Sequence, residues 1–331
     1  MVALDLPQAL RDALDGAIAS MPGPRLAARV TDLSRAYRQT GRAGGGAMDG
    51  EAALAYAVYR LPATFAAVGA ALAQVAEARP DLRPGTVLDA GAGPGSGLWA
   101  AAGRWPGLVR AVAVENDLAM LKLGRRLAAV APHPAVRGAA WRQADLGQPL
   151  AEERFDVVLL SYVLGELASQ EQAAVVDRLW RATAGVLVVV EPGTPAGFAA
   201  VRAARARLAG MGAAVVAPCP HGRACPMPEA DWCHFAVRLE RSRRHRQAKG
   251  GALPYEDEKF SFVALSRLAG MPATARVLRH PQVRGGHVRL RLCTLHGLRD
   301  DTVARSEGER YRLARRLEWG AAFPYAADPE A

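Results

Sequence analysis

The chain has 331 residues, of which 50% are hydrophobic and 22% charged, a balance typical of a globular protein with one large domain or two smaller ones. No stretch approaches the roughly 18 uninterrupted apolar residues of a membrane helix, so no membrane partner is expected. The formal net charge of +10 instead indicates an anionic partner such as nucleic acid.

Residues 1–78 are expected to form an N-terminal helical domain. Apolar residues recur every four positions over residues 6–18, which is the spacing of one helix face. Two further periodic runs cover residues 26–37 and 53–75, and Pro62 is expected to interrupt the second.

The first residues, Met1-Val2-Ala3-Leu4-Asp5-Leu6, lack the charged and then apolar pattern of a signal peptide. From this we expect a cytoplasmic protein of a bacterial cell.

From residue 86 onward, short apolar runs alternate with helical segments. Five buried strands are predicted, at residues 86–89, 109–115, 141–145, 155–161 and 186–191. The helices between them imply right-handed crossovers and a parallel sheet. Two later runs, 260–267 and 287–295, alternate like strands and suit the antiparallel pair that closes a class I methyltransferase sheet.

The predicted fold class is therefore α/β, with a Rossmann-like class I methyltransferase sheet. It is preceded by the helical domain and contains a cysteine-rich, metal-binding insertion. The expected boundaries are 1–78 for the helical domain, 79–200 for the cofactor-binding domain, 201–259 for the cysteine-rich and basic insertion, and 260–331 for the closing strands and tail.

A glycine-rich loop, Asp89-Ala90-Gly91-Ala92-Gly93-Pro94-Gly95, follows the first strand. Glycines let the chain turn sharply and let a ligand approach the backbone. Acidic residues end the first three strands, where they suit the amino group, the ribose hydroxyls and the adenine of S-adenosylmethionine. The predicted cofactor residues are Asp89, Gly91, Gly93, Gly95, Glu115, Asp145 and Ser161.

Pro94 and the missing third glycine of the dinucleotide pattern favour S-adenosylmethionine over NAD, with an NAD domain or an empty scaffold as the alternative. The segment after the fourth strand, 161–167, contains neither the Asn/Asp-Pro-Pro-aromatic motif of nucleobase methylation nor a nucleophilic cysteine. Glu166 is a candidate base, against a capping or solvated role. The catalytic residues therefore stay unknown.

The four cysteines of the chain follow the spacing Cys219-x5-Cys225-x7-Cys233, with Cys293 some sixty residues later. Three of them lie on a proline-rich segment that is poor in apolar residues, so metal ligation would supply its folding energy. Four thiolates suit a four-iron cluster or a tetrahedral zinc ion, and the wide spacing favours the cluster.

A basic run follows Cys233 directly, and only Glu240 adds an acid to it. Phosphate contact is the natural interpretation, with a solvated face as the alternative. The predicted RNA-binding residues are Arg241, Arg243, Arg244 and Arg246.

Together these residues resemble the Rsm22 family of small-ribosomal-subunit methyltransferase-like proteins, which has mitochondrial and bacterial members. The resemblance spans nearly the whole chain. It is carried by Val87 to Ala100 around the glycine loop, Pro218-Cys219-Pro220-His221, Cys225-Pro226, Asp231-Trp232-Cys233-His234-Phe235, Pro254 to Phe262, Arg60-Leu61-Pro62-Ala63-Thr64 and Glu318-Trp319-Gly320.

The resemblance implies a [4Fe-4S] cluster on the four cysteines and a role on the small ribosomal subunit and its rRNA. Three hypotheses follow. The chain is an rRNA methyltransferase, or an assembly factor that uses the cofactor site structurally, or a small-molecule methyltransferase with structural zinc. The basic run and the lack of an obvious lid argue against the third. Off the ribosome we expect a monomer.

Overall fold

The computed structural model describes residues 5–40, 48–149, 152–241 and 253–325, excluding the side chains of 36–40. Its N-terminal part contains three helices, α1 (Gln8–Ala17), α2 (Gly23–Thr40) and α3 (Gly50–Ala78). Asp49 begins α3 by accepting a hydrogen bond from the backbone N–H of Ala52 at 2.7 Å.

Helix α3 runs unbroken through Pro62, so the predicted interruption there is wrong. Pro62 is buried, and its small neighbours Ala63, Ala66 and Ala67 are fully buried in the main core, so packing outweighs the helix-breaking tendency of proline. By length and composition alone α3 could cross a membrane, but 67% of its most apolar window is buried inside the protein. It therefore serves here as a core helix.

Eight strands form the central sheet: β1 (Thr86–Ala90), β2 (Arg110–Glu115), β3 (Ala140–Gln143), β4 (Phe155–Ser161), β5 (Thr183–Pro192), β6 (Ala214–Ala217), β7 (Phe235–Glu240) and β8 (Tyr255–Ser266). Their order is β3-β2-β1-β4-β5-β8-β6, and β7 pairs with β8. Strands β1 to β5 are parallel, whereas β8 is antiparallel to β5, β6 and β7. This mixed sheet is the expected α/β methyltransferase fold.

Helices cover both faces of this sheet: α4 (Ser96–Arg104), α5 (Leu118–Ala128), α6 (Pro134–Arg137), α7 (Ser169–Arg181) and α8 (Pro195–Gly210). Strand β5 shows why, because alternate residues are buried in different cores. Val186, Val188 and Val190 pack with α3, α4 and α5. Leu187 and Val189 pack with α7 and α8 on the opposite face.

A second, five-stranded sheet follows in the chain: β9 (Ala275–Val277), β10 (Gln282–Arg284), β11 (His287–Thr294), β12 (Gly297–Ala304) and β13 (Ala322–Phe323). A short helix, α9 (Glu309–Ala314), packs against it. Val288, Leu290 and Leu292 of β11 point into a small core shared with Tyr311 and Phe323.

The predicted closing pair of the central sheet is therefore wrong in one strand. The run 260–267 does lie in that sheet as β8, but 287–295 belongs to the second sheet. The neighbour of β8 is instead β6, whose four residues Ala214-Val215-Val216-Ala217 are too few to show a period. The run 287–295 alternates because it buries one face in its own small core.

A buried ion pair connects the N-terminal helices to the central sheet. Arg60 of α3 donates to the Glu258 carboxylate of β8 at 3.0 Å, and the Tyr162 hydroxyl donates to the same oxygen at 2.8 Å. Burial and the adjacent Glu258 raise the pKa of Tyr162 well above its usual value, so the hydroxyl keeps its proton and stays a donor. Three separate segments thus meet at one carboxylate.

We predict that Glu258→Gln destabilises the protein by about 3–5 kcal/mol, because it leaves the Arg60 guanidinium buried without its counter-charge. Tyr162→Phe should cost only about 0.5–1.5 kcal/mol, the net contribution of one hydrogen bond. Urea unfolding of the purified variants measures both values.

The matched control is Asp257→Asn, on the adjacent residue of β8. Asp257 pairs with Arg238 at the protein surface, where an exposed pair contributes about 0–1 kcal/mol. A cost for Glu258→Gln no larger than that of Asp257→Asn would contradict the structural role of the buried pair.

Candidate functional site

A cavity of about 570 Å³ opens at the carboxyl ends of the parallel strands. This is the edge where open α/β sheets bind their ligands. Five of the predicted cofactor residues line it: Gly91, Gly93, Glu115, Asp145 and Ser161. Met48 and Tyr56 of the N-terminal part also line it, so this part of the chain partly covers the cavity, where the sequence showed no obvious lid. The backbone N–H of Met48 donates to Asp117 at 2.8 Å, which fixes this cover to the cavity rim.

The glycine loop after β1 has the backbone conformation that its sequence predicts. Gly91, Gly93 and Gly95 have φ angles of 69°, 53° and 94°, which glycine adopts without strain. A side chain at Gly91 would lie 2.4 Å from Val163, so this position has no room for one. Gly95 lies behind the cavity, where it begins helix α4 in the left-handed conformation.

Glu115 ends β2 with its carboxylate at the cavity. One oxygen accepts a hydrogen bond from Gly93 N–H at 2.7 Å and the other from Asp117 N–H at 2.8 Å. Burial raises the pKa of Glu115, and these donors work against that rise. Each carboxylate oxygen has a further lone pair, so the group can also accept from two ligand hydroxyls.

Asp145 lies exposed on the loop after β3, where one of its oxygens accepts from Gly147 N–H at 2.7 Å. Ser161 is buried at the end of β4 and also lines the cavity.

Asp89 is not among the residues that line the cavity, so its contact with the methionine amino group stays a prediction. Its carboxylate faces the first turn of α4 and accepts a hydrogen bond from Leu98 N–H at 3.2 Å. Its other oxygen is buried without a partner. Burial raises the pKa of Asp89 to about 7. Asp89 therefore supports the glycine loop from behind.

A further carboxylate, which was not predicted from the sequence, holds the backbone of the loop after β4. Glu191 at the end of β5 accepts hydrogen bonds from the backbone N–H groups of Val163 and Leu164 at 3.0 and 2.8 Å, and from Gly165 at 3.3 Å. Burial raises the pKa of Glu191 to about 7, against the effect of these donors. The signal in the sequence for this role was the position of Glu191 at the end of the predicted strand 186–191, directly before Pro192.

Tyr162 in the same loop has a φ of 60°, rare for a residue with a bulky side chain. Its N–H bonds to Val190 O at 2.7 Å, and its hydroxyl bonds to Glu258. Both ends of the residue are held, which explains how a strained backbone persists beside the cavity.

The four cysteines line one cavity between α8, β8 and the second sheet. None forms a disulfide. The cavity is otherwise mainly apolar, with Phe198, Met227 and Leu278 in its wall. Burial raises the pKa values of Cys219 and Cys233, and raises that of Cys293 to about 12. The topology thus brings residues seventy positions apart to one place.

Two arginines that sequence reasoning missed are buried beside these thiols. Arg205 of α8 is 4% exposed and donates to the His221 carbonyl at 2.8 Å, while its Nε has no partner. Arg276 of β9 is 2% exposed and donates to the carbonyls of Pro218 and Gly320 at 3.1 and 3.0 Å. Its neighbouring acid is Glu77, at 3.9 Å and largely in solvent.

Within the described ranges, no group of three or more His, Cys, Asp or Glu side chains has the arrangement of a single-ion metal site. His221 lies close to the thiols, with its Nε2 3.8 Å from the Cys293 sulfur. The Nδ1 of His221 is buried without a partner.

The basic run after Cys233 is only partly described. Arg241 binds Glu256 at 2.9 Å through two of its nitrogens, and Arg238 forms an ion pair with Asp257. Arg243, Arg244 and Arg246 lie outside the described residues. RNA binding by this run stays a prediction, and its two described arginines already have carboxylate partners.

Comparison with known proteins identifies relatives that match most of this chain. A family model described as mitochondrial small ribosomal subunit Rsm22 matches residues 50–324. The human ribosome assembly protein METTL17, mitochondrial, is 33% identical over 292 residues, which cover 82% of this chain and 62% of the human protein. The Rsm22-cox11 tandem protein 2, mitochondrial, of Schizosaccharomyces pombe is 27% identical and is covered over 43% of its length. The chain thus spans less than two thirds of either relative.

Among solved structures, a putative RNA methyltransferase from Pyrococcus horikoshii aligns with a TM-score of 0.41 at 15% identity, over 63% of this chain and 87% of that one. Magnesium protoporphyrin IX methyltransferase from Synechocystis with bound S-adenosylmethionine aligns with a TM-score of 0.40 at 15% identity, over 72% and 97%.

These relatives overturn the predicted bacterial cytoplasmic location, because the family model and the curated relatives are described as mitochondrial. The prediction depended on residues 1–6 alone, whereas the match to the family model is carried by residues 50–324. Because the family model covers most of the chain, from the start of α3 to the end of β13, the chain belongs to the Rsm22 family.

Proposed function

We propose that this protein binds S-adenosylmethionine and acts in assembly of the small ribosomal subunit, with the cofactor cavity as a binding site and not as a reaction centre. The observation that carries this proposal is the loop after β4. Where a methyltransferase needs groups free to orient the methyl acceptor, the N–H groups of 163–165 are bonded to Glu191 and the Tyr162 hydroxyl to Glu258.

The cavity itself suits the cofactor. Glu115 offers two acceptors for the ribose hydroxyls, Asp145 stands where an adenine amino group would lie, and the glycine loop admits close approach of the methionine moiety. S-adenosylmethionine supplies an activated methyl group when it is bound. The chain's contribution here is to hold and enclose it beneath Met48 and Tyr56.

An rRNA methyltransferase is the second candidate. It is favoured by the unimpaired glycine loop and by Glu115, which keep the features of a working cofactor site. Glu166, on the loop after β4, also lines the cavity and is the candidate base of this alternative.

We further propose that Cys219, Cys225, Cys233 and Cys293 hold a metal centre. The donor set supports this, because four thiols border one mainly apolar cavity. Four thiolates suit a [4Fe-4S] cluster or, as the alternative, a tetrahedral zinc ion, and the wide spacing of the cysteines in the sequence favours the cluster.

The buried arginines also support a metal centre. A buried cation is costly unless an anion compensates it. Arg205 and Arg276 have carbonyl partners but no buried carboxylate partner among the described residues. Four thiolates on a metal carry a net negative charge, and they would compensate both guanidinium groups.

The proposed organisation keeps the four predicted segments, 1–78, 79–200, 201–259 and 260–331, with β6 and β7 of the third segment completing the central sheet, in a chain that is monomeric off the ribosome. The family model is described as a mitochondrial small ribosomal subunit protein, and the human relative as a mitochondrial ribosome assembly protein. Small-subunit assembly and mitochondria are here the proposed context of this chain.

For the cofactor, we predict that Glu115→Gln weakens S-adenosylmethionine binding roughly 5- to 150-fold, because an unpaired ribose hydroxyl costs about 1–3 kcal/mol. Calorimetry on both proteins measures the change. The control is Glu153→Gln, since Glu153 pairs with Arg110 at the opposite end of β2 and should leave affinity unaltered. Absence of binding by the unmodified protein would refute the cofactor assignment.

For the metal centre, we predict about four irons and four sulfides per chain after anaerobic purification. Cys233→Ser should lower this content and the soluble yield, because metal binding supplies folding energy to the cysteine segment. Met227→Leu, in the wall of the same cavity, should change neither.

The counter-charge role has its own variant. Arg276→Gln should lower metal occupancy, because it removes a cation from beside the thiolates. One zinc and no iron per chain would establish the zinc alternative. Full metal occupancy in Arg276→Gln would contradict the proposed role of this guanidinium as the counter-charge of the thiolates.

For assembly against catalysis, we predict that the protein co-sediments with precursor small subunits but transfers no methyl group to their rRNA. Tritiated S-adenosylmethionine with precursor particles measures transfer, and a sucrose gradient measures association. Stoichiometric labelling of the rRNA that Glu166→Gln abolishes would establish the methyltransferase instead.

A further inference from the structure

The second sheet carries a basic hairpin that no role so far explains. Strands β10 and β11 are antiparallel, and Arg284 pairs with His287 across a two-residue turn, Gly285-Gly286. Gly286 has a φ of 91°, a conformation typical of such tight turns. From Gln282 to Arg291 the sequence contains three arginines and no acid.

The pairing register places the polar residues of this hairpin on one face. Gln282 pairs with Arg289 and Arg284 with His287, while Val288 between them is buried in the small core. Residues paired directly across strands, and those two apart along a strand, share a face. On the other side of β11, Thr302 of β12 pairs with Arg289 and extends the same face.

The arginines at the end of this hairpin are exposed and carry no carboxylate partner within the described residues. Arg284 and Arg289 are exposed, as is Arg305, whose N–H bonds to Gly286 O at 2.8 Å. The nearby acids are engaged elsewhere, since Glu307 and Asp301 both bind Arg310. Further along the face, Arg291 binds Asp300 at 2.7 Å.

This distribution contrasts with the basic run after Cys233. There Arg238 and Arg241 are paired with Asp257 and Glu256 of β8. A phosphate approaching those arginines must compete with a carboxylate, whereas one approaching Arg284 or Arg289 replaces only water and counterions. Of the two described surfaces, the hairpin is the better phosphate site.

The hairpin face also continues toward the thiol cavity. Cys293 lies four residues beyond Arg289 on the same face of β11, about 14 Å away at the usual strand rise. Its partner Leu298 lines the thiol cavity. A ligand lying along this face would therefore reach from the hairpin turn to the edge of the cysteine centre.

We propose that the face formed by Gln282, Arg284, His287 and Arg289, with Arg305 beside the turn, binds the phosphate backbone of RNA. The arginines supply the charge, and the amide of Gln282 and the hydroxyl of Thr302 supply hydrogen bonds to phosphate or ribose. The proposal rests on the proposed ribosomal function and names the surface that contacts the RNA.

The test is the double variant Arg284→Gln/Arg289→Gln, titrated with a labelled stem–loop RNA at several salt concentrations. Losing two phosphate contacts should reduce the slope of log K against log salt by about 1.4–1.8. At 0.1 M salt this corresponds to binding weakened roughly 25- to 60-fold, with the difference vanishing toward 1 M. The thermal unfolding midpoint should not change, because both side chains are exposed.

The matched control is Arg312→Gln/Arg316→Gln on and after α9, which removes the same charge from the same sheet unit. Equal weakening by the control would show that only net charge matters and would overturn the proposal. If the hairpin variant loses binding to anionic phospholipid vesicles but keeps its RNA affinity, the surface is a membrane site and the proposal is wrong.

The unmodified protein separates this inference from the proposed function. If it binds neither the stem–loop RNA nor small subunits, the ribosomal function itself fails. If it binds both and the double variant binds equally well, only the hairpin assignment fails.

Discussion

The buried carboxylate of Glu258 is the interaction on which the arrangement of both sites depends. It compensates Arg60 from helix α3 and accepts from Tyr162 in the loop beside the cofactor cavity. A carboxylate buried this deeply is tolerable only when its partners are in place, so the helix, the loop and strand β8 must assemble together. Helix α3 is thereby fixed against the central sheet, and Tyr56 of this helix lines the cavity together with Met48 just before it.

Strand β8 also connects Glu258 to the cavity that the four cysteines line. Three residues after Glu258, the Ser261 hydroxyl donates to the carbonyl of Cys233 at 2.8 Å. Directly after the neighbouring strand β5, the carbonyl of Gly193 accepts a hydrogen bond from the Trp232 indole at 2.9 Å. Two direct hydrogen bonds thus join the elements of the cofactor site to the cysteine segment. A displacement of β5 or β8 would therefore be passed to the segment around Cys233 through these hydrogen bonds.

The sequence predicted the elements whose residues are buried along their whole length. It did not predict burial that is caused by segments distant in the chain. The parallel strands were predictable because runs such as 155–161 are apolar throughout, as strands covered on both faces must be. The sharp turn after β1 was predictable because Gly91, Gly93 and Gly95 adopt positive φ angles without strain. Strand β6 was too short to show a period. The run 287–295 alternates as a strand should, but the strand lies in the second sheet and not in the central one. The burial of Arg205 could not be predicted from the sequence of α8, because the segment that covers this side chain consists of residues 219–233.

The same reasoning limits what a charge count can say about nucleic-acid binding. The surplus of +10 is a property of composition, but a phosphate meets only those arginines that no carboxylate already holds. In the basic run, the two described arginines face acids of β8 that lie far away in the sequence, so their local density overstates their availability. At the hairpin turn the sequence looks weaker, with three arginines in ten residues, yet the pairing register directs them to one face and leaves two without an acidic neighbour. The available positive charge is therefore set by the topology of the two sheets, which decides where the acids lie.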